Sequence, residues 1–282
     1  MEDPRIAELE DVAARAVAAV AGEEPVGAAV AMFLLAHYLA TGAPELGEVL
    51  GLALAQALAF ADGETSVIGR AEWLTLLVEA TALADDERIV PAVERLVAAL
   101  RATWPAGTRV DEGSASVDAC LRASALLGPG ELVQEAIDHL ERVVGGSYRP
   151  GDGLVLTRDG SRTRGSFDDH VRGASALLTA FELTGRLPYS MLAEELIAIA
   201  GREPAADADL VTSCEAARVL CRLAALHDDP EYRGAAVIAT GADYRAAASR
   251  ILTAQSARVR AGTTSAAAAY GLALRDLLGD VR

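Results

Sequence analysis

Five short turns recur along the 282-residue chain at an almost constant spacing. They read LATGAPEL, ALADDERI, LLGPGELV, LTGRLPYS and LHDDPEYR. Counted at the Gly or Asp of each turn, they lie at positions 42, 85, 128, 185 and 228, a period of 43 residues broken by one insertion of 14 residues. Helical patterns on both sides of each turn indicate a repeated helical hairpin, which buries its apolar faces only against its neighbours.

Two kinds of helix alternate along this repeat. The helix before each turn is rich in Ala and apolar nearly all round, which is typical of a buried helix, whereas the helix after the turn carries regularly spaced charges. We predict inner helices at about 26–41, 69–84, 113–128, 167–184, 210–226 and 263–279. We predict outer helices at about 4–21, 44–61, 86–103, 130–145, 187–201 and 231–255.

Six inner and six outer helices predict an all-α fold, an α/α toroid of six helical hairpins. We expect residues 1–282 to form this toroid as a single domain. An open solenoid is the main alternative, because a stack of hairpins needs no closure. The insertion lies in residues 145–165, where Gly and Asp flank the alternating run from Gly153 to Arg158, so we also predict a short β-hairpin near 151–160.

The charge of the chain disfavours nucleic acid and anionic lipid as partners, and its cysteine content bears on the compartment. The net charge is −16, with 41 acidic residues against 25 basic ones, and such a field repels nucleic acid and anionic lipid. Residues 25–44 carry no charge and are long enough to cross a bilayer, but their Ala and Gly content is equally typical of a buried helix. The first residues do not form a secretory signal, and the three cysteines include no CxxC pair. We therefore predict a cytoplasmic protein with no nucleic-acid or membrane partner.

The longer connections precede the inner helices, so they should share one rim of the ring with the inner-helix N-termini. Free N–H groups and the helix dipoles favour an anionic or hydroxyl-rich ligand there. Acids, hydroxyls and one indole near these N-termini are typical of a sugar site, so the expected partner is a small molecule such as a sugar or uronic acid. The catalytic candidates are Asp118, Asp169, His170 and Glu215. The substrate-binding candidates are Arg70, Trp73, Asp168, Arg172 and Thr212.

A purely structural interpretation competes for several of these residues. Ser166 with Asp169, and Thr212 with Glu215, both have the spacing of a capping box, which satisfies N–H groups at the start of a helix. Asp118 has Arg122 one helical turn later as a possible ion-pair partner. HExxH, CxxC and EF-hand patterns do not occur, so we predict neither a metal site nor a cofactor.

The run from 141 to 189, ERVVGGSYRPGDGLVLTRDGSRTRGSFDDHVRGASALLTAFELTGRLPY, resembles part of a known family. It is similar to the helix, glycine-rich hairpin and following helix of bacterial thioredoxin-domain proteins related to spermatogenesis-associated protein 20. The resemblance extends over roughly 65–280 and implies the six-hairpin toroid that those proteins share with N-acylglucosamine 2-epimerases and several glycosidases. This chain has no CxxC, so a redox role does not carry over. Epimerases of the superfamily use two pocket histidines, and only His170 is suitably placed here.

Three functions remain open at this stage. The first is a carbohydrate-binding or carbohydrate-processing protein, glycosidase-like or sugar-epimerase-like, that uses the carboxylates at the inner-helix N-termini. The second is a non-catalytic helical scaffold that presents its acidic outer helices or its long-loop face to another protein. The third, isoprenoid cyclisation, shares the helical architecture but lacks the acidic motifs that this chemistry needs.

Overall fold

The structure, a computed structural model, describes residues 3–22, 26–104, 109–128, 130–158, 161–202, 208–235 and 241–279. Its helices are α1 (Pro4–Val20), α2 (Ala28–Thr41), α3 (Glu45–Phe60), α4 (Val67–Ala80), α5 (Ile89–Arg101), α6 (Val110–Leu127), α7 (Glu131–Ser147), α8 (Phe167–Thr184), α9 (Leu187–Ala200), α10 (Leu210–Asp228), α11 (Pro230–Ala235), α12 (Tyr244–Ala261) and α13 (Thr264–Leu278). Three strands lie between α7 and α8: β1 (Tyr148–Arg149), β2 (Gly153–Arg158) and β3 (Ser161–Arg164).

The inner helices α2, α4, α6, α8, α10 and α13 form a closed ring. Each packs against the next, and α13 returns to pack against α2. The outer helices lie against neighbouring inner helices, and α1 covers the closing seam by contacting both α13 and α2. At this seam Arg275 Nη1 lies 2.9 Å from His37 Nδ1, and the Tyr270 hydroxyl donates to Glu8 Oε2 at 2.7 Å. The predicted α/α toroid is therefore confirmed, and the open solenoid is wrong.

The inner helices α6, α8 and α10 run in the same direction. Ser175 lies as far along α8 as Asp118 lies along α6, and the Ser175 hydroxyl donates to Asp118 Oδ2 at 3.1 Å. One turn further along, Arg122 Nη2 donates to Thr179 Oγ1 at 3.2 Å, again between equivalent positions of the two helices. Residues at equal distances from the helix starts meet only when the helices are parallel and in register. Arg222 on α10, equally far along its helix, also donates to Thr179 Oγ1 at 2.9 Å. The N-termini of α6, α8 and α10 therefore share one rim with the connections that precede them.

Helix starts follow from local capping, with one correction. The predicted capping box of Ser166 and Asp169 is present at the start of α8. The predicted box of Thr212 and Glu215 is wrong, because Asp209 caps α10 and its side chain accepts from the Val211 and Thr212 amides. Glu215 therefore lies beyond the first turn and has no role in the cap.

The last outer helix is also different from the prediction of one helix at 231–255. The chain forms the short α11 and the longer α12 instead. Gly241 has a φ of +89°, a left-handed conformation that cannot continue a right-handed helix. Asp243 then starts α12 by accepting a hydrogen bond from the Ala246 amide at 2.8 Å.

The predicted hairpin is present and gains a third strand. β2 pairs antiparallel with both β1 and β3. Glu195 on α9 fastens this sheet to the ring, because it accepts from the Tyr148 hydroxyl at 2.6 Å and from the Gly151 amide at 3.0 Å. Leu154, fully buried, inserts the sheet into the core.

The cysteines and the helix of the uncharged stretch both belong to the inner ring. All three cysteines are buried and unpaired, and burial raises the pKa of the Cys120 thiol to about 12. No described helix is long and apolar enough to cross a membrane. The uncharged stretch 25–44 contains α2, which has 14 residues and forms part of the inner ring.

The seam makes a specific prediction about Gly271 on α13. A Cβ at this position would lie 2.5 Å from Phe33 Cε2 and 2.9 Å from Val12 Cγ1, much closer than carbon atoms normally approach. Gly271→Ala is expected to lower the free energy of unfolding by about 1–3 kcal/mol in urea denaturation. Gly51→Ala is the matched control, because Gly51 lies inside α3 with nothing near its Cβ position, and it is expected to raise stability by about 0.5–1 kcal/mol. Equal gains in both variants would mean that the seam is loosely packed.

Candidate functional site

Two of the four predicted catalytic residues meet inside the ring. The Ser175 hydroxyl on α8 lies 3.1 Å from Asp118 Oδ2 and 2.9 Å from Glu215 Oε1, so these carboxylate oxygens are at most about 6 Å apart. The hydroxyl has one proton and can donate to only one of the two carboxylates at a time. The site is therefore built on facing side chains of α6, α8 and α10.

Arginines surround this pair. Arg122 Nε donates to Asp118 Oδ1 at 3.1 Å, which confirms the predicted i, i+4 partner. Arg218 forms ion pairs with Glu215 at 3.6 Å and with Asp276 on α13 at 2.8 Å. Arg222 donates to the Ser175 carbonyl at 3.2 Å and to Thr179 Oγ1 at 2.9 Å.

These charges set the protonation state of Asp118. Burial acts to raise the pKa of its carboxyl, but the Arg122 and Arg222 guanidiniums outweigh burial and hold the pKa below its usual range. Asp118 is therefore a carboxylate at neutral pH. It can accept hydrogen bonds or balance positive charge, but it is poorly suited to donate a proton.

Glu72 on α4 behaves in the opposite way. The pKa of the Glu72 carboxyl is raised above its usual value. The surrounding protein raises this pKa by removing water from the carboxyl, the positive charge of Arg172 lowers it, and the negative charge of Glu215 raises it. The side chain is nevertheless exposed. A carboxylate that water reaches but that protein largely surrounds lies in a concave space. Because α4 packs between α2 and α6 whereas Arg172 and Glu215 belong to α8 and α10, Glu72 faces them across the interior of the ring. We call this polar interior the lumen.

The other two predicted catalytic residues lie together at the start of α8, where the chain itself uses their polar atoms. Asp169 is buried; its Oδ2 accepts from the Ser166 amide and hydroxyl at 2.8 Å, and its Oδ1 accepts from the Asp111 amide at 3.1 Å. It thus joins the first turns of α8 and α6. His170 is 1% exposed, and its Nε2 accepts from the Leu154 amide at 3.1 Å while Nδ1 lies 2.8 Å from the Ser166 carbonyl. This arrangement requires a neutral imidazole whose proton is on Nδ1, which donates to the Ser166 carbonyl, and it holds the sheet on α8.

The predicted substrate-binding residues are spread over several environments. Arg70 is partly buried and donates to the Glu64 carbonyl at 2.8 Å, so it supports the connection before α4. Trp73 is 7% exposed and belongs to the core, which leaves little indole face for stacking on a sugar. Thr212 is buried in the first turn of α10. Asp168 and Arg172 are partly exposed near the start of α8, and Arg172 acts on Glu72 in the lumen.

The predicted site residues do not include Glu72, Ser175, Arg218 or Arg222. The repeat carries a signal for them. Moving Glu72 along the chain by the successive repeat spacings gives 115, 172 and 215, so Arg172 and Glu215 occupy its equivalent positions. The same operation relates Asp118 to Ser175 and Arg218, and Arg122 to Thr179 and Arg222. Equivalent positions of a ring form layers, and these layers contain most of the charges of the lumen.

Among the described residues, no group of three or more His, Cys, Asp or Glu side chains is placed to hold a metal ion. A scan against models of protein families finds no match, and no curated protein matches the sequence.

Solved structures with a similar fold do exist. An unsaturated glucuronyl hydrolase specific for heparin superposes with a TM-score of 0.71 at 12% identity, covering 96% of this chain and 97% of its own. The unsaturated glucuronyl hydrolase from Bacillus sp. GL1, responsible for the degradation of glycosaminoglycan, gives 0.65 at 16% identity, with 88% and 84% covered. The GH76A alpha-1,6-mannanase from Salegentibacter sp. HEL1_6 gives 0.66 at 10% identity, with 89% and 88% covered. At these identities the likeness shows the fold, which is the six-hairpin α/α toroid of these glycosidases.

Proposed function

We propose that the chain is a carbohydrate-processing protein that hydrolyses a glycosidic bond in the lumen. The observation that carries this proposal is the contrast between two carboxyl groups of the lumen. The pKa of Glu72 is raised and that of Asp118 is lowered, by the surroundings described above. A pair of carboxyl groups whose environments separate their pKa values is the arrangement that glycoside hydrolysis uses.

Each group has a role in this mechanism. Glu72, protonated, donates its proton to the leaving glycosidic oxygen as the bond to the anomeric carbon breaks. Glu215 accepts a proton from the water whose oxygen forms the new bond to that carbon, and Asp118 remains ionised and stabilises positive charge on the sugar. Arg172 and Arg218 supply donors for hydroxyl or carboxylate groups of the sugar. The net reaction consumes one water and yields two shorter sugars.

The fold neighbours support the same class of substrate. Two neighbours are described as unsaturated glucuronyl hydrolases, and inactive variants of the mannanase, with two consecutive aspartates replaced, were seen with alpha-1,6-mannotetrose and alpha-1,6-mannotriose. This chain has the consecutive pair Asp168 and Asp169 at the start of α8. Because both Asp169 oxygens accept hydrogen bonds from the chain, Asp168 is the member of the pair that stays a candidate for substrate contact.

A substrate screen tests the proposal. The purified protein is incubated with unsaturated glucuronyl disaccharides, saturated uronides and alpha-1,6-mannotetrose, and products are separated by chromatography while melting temperatures are recorded. We expect at least one sugar to raise the melting temperature by mass action and to be cleaved. Asp118→Asn should reduce cleavage, whereas Glu48→Gln on the outer wall should not. Binding without any cleavage across the panel would contradict a hydrolase, and the absence of binding would contradict a carbohydrate site.

One observation favours the second function, a non-catalytic scaffold. Asp118 and Glu215 both form ion pairs with arginines, as purely structural carboxylates do. In that case Asp118→Asn would change stability and no sugar would bind.

We also propose that the chain is related to thioredoxin-domain proteins, that it is cytoplasmic, and that residues 1–282 form one domain.

A further inference from the structure

The three-stranded sheet borders a groove that the lumen does not include. The groove has a volume of about 360 Å³ and is lined by Gly151, Asp152, Val155, Arg162, Thr163, Arg164 and Arg202. Alternation along the strands explains this lining. Leu154 and Leu156 pack on the core, so the paired residues Val155 and Arg164 lie on the opposite face of the sheet, together with Arg162.

This groove is positively charged in a chain of net charge −16. Three arginines line it against one aspartate. Within the described part of the chain, no carboxylate lies within ion-pair distance of Arg162 or Arg202, and neither donates a side-chain hydrogen bond to the protein. Two guanidiniums from separate segments, β3 and the turn that follows α9, are thus available to one ligand.

The groove also lies beside the rim of the ring. Its sheet is held on the first turn of α8 by the hydrogen bond from the Leu154 amide to His170, and on α9 by the contacts of Glu195. The same first turn of α8 leads into the lumen at Arg172 and Ser175. A sugar chain that enters the lumen from this rim passes close to the groove.

We propose that this groove is a second binding site, which holds one anionic sugar unit through its carboxylate or sulfate group. Arg162 and Arg202 recognise the oxyanion by charge-assisted hydrogen bonds, which arginine can form in pairs. The volume is at the lower end for small-molecule sites and suits a single sugar unit. A long polyanion is disfavoured because the rest of the protein repels it. That the ligand is a sugar rests on the proposed function, whereas oxyanion binding does not.

The test compares binding of three probes by isothermal titration calorimetry: a sulfated glucuronate disaccharide, a neutral mannose disaccharide and inorganic sulfate. The double variant Arg162→Ala, Arg202→Ala is expected to bind the charged disaccharide about tenfold or more weakly, because each lost charge-assisted hydrogen bond contributes substantially. Arg250→Ala, an exposed arginine on the outer wall, is the matched control and should bind like the wild type. Binding should also weaken as salt rises.

The remaining outcomes separate this proposal from the previous one. Unchanged affinity of the double variant for the charged disaccharide overturns the groove site. Equal affinity of the wild type for the neutral disaccharide also overturns it, and preferential binding of inorganic sulfate restricts it to an oxyanion site without sugar recognition, which contradicts the proposal as stated. Tight binding at the groove together with no cleavage of any sugar supports this inference and contradicts the hydrolase. Glu72→Gln should leave binding at the groove unchanged, and a loss there would place the ligand in the lumen instead.

Discussion

Glu72→Gln is expected to lower the rate of glycoside cleavage by about 10²–10⁴-fold, the usual contribution of a general acid. The amide keeps the size of the side chain and can still form hydrogen bonds, but its N–H groups are not acidic enough to protonate a leaving group. The wild-type rate should fall as pH rises through the raised pKa of Glu72, because the acid is then ionised. The residual activity of the variant should not show this fall in rate at high pH. The measurement is the pH–rate profile of cleavage by both proteins.

The same substitution should make the protein more stable at neutral pH. The folded-state pKa of Glu72 is raised, so the stability that protonated Glu72 contributes is complete below the unfolded pKa and is lost as pH rises through the folded pKa. Glutamine cannot ionise and keeps that contribution. The two proteins should therefore melt alike near about pH 4, and the variant should melt at a higher temperature near about pH 8.

Glu48→Gln on the exposed face of α3 is the control for both measurements. It should change neither the rate nor the pH dependence of melting, since Glu48 faces solvent on the outer wall. A Glu72 variant that is less stable than the wild type at every pH would mean that the ionised side chain is well solvated or well paired. That result would remove the argument for Glu72 as the acid, even if the activity were lost.

The ring could be predicted because the period of 43 residues fixes the number of hairpins and the order in which they are connected. Closure followed from counting six inner and six outer helices. The start of α10 could not be predicted, because Asp209 and Thr212 are both good capping residues and the choice between them depends on where the helix packs. That choice decides whether Glu215 completes a cap or points into the lumen.

The site was harder to predict than the ring. Asp118 and Glu215 are both predicted catalytic residues and they do lie together, but their meeting point at Ser175 depends on the rotation of three helices about their axes. The repeat places residues in layers without stating which of them face inward. Asp169 and His170 look equally reactive in the sequence, yet the chain uses their polar atoms to hold α6 and the sheet. Those contacts join residues that are 58 and 16 positions apart in the sequence, so a local sequence pattern cannot predict them.

Gly153→Ala should detach the sheet from the ring, with a loss of about 2–5 kcal/mol in the free energy of unfolding. Two independent effects add here. Gly153 has a φ of +76°, where a side chain strains the backbone by about 1–2 kcal/mol. A Cβ would also lie 2.6 Å from His170 Nε2 and 3.1 Å from Ile199 Cδ1, a clash in a closely packed region that costs about 1–3 kcal/mol. Because His170 is buried, its ring has little room to move away.

Gly151→Ala separates the two effects. Gly151 has a similar φ of +79° but nothing within 4 Å of its Cβ position, so the substitution should cost only the backbone strain. Hydrogen exchange adds a local readout: the Leu154 amide, which donates to His170, should exchange faster in Gly153→Ala, while amides of α1 keep their protection. The double variant Gly153→Ala, His170→Ala should lose less stability than the sum of the single variants, because the clash has lost its partner. Equal losses for the two glycine variants would instead mean that His170 moves freely and does not anchor the sheet.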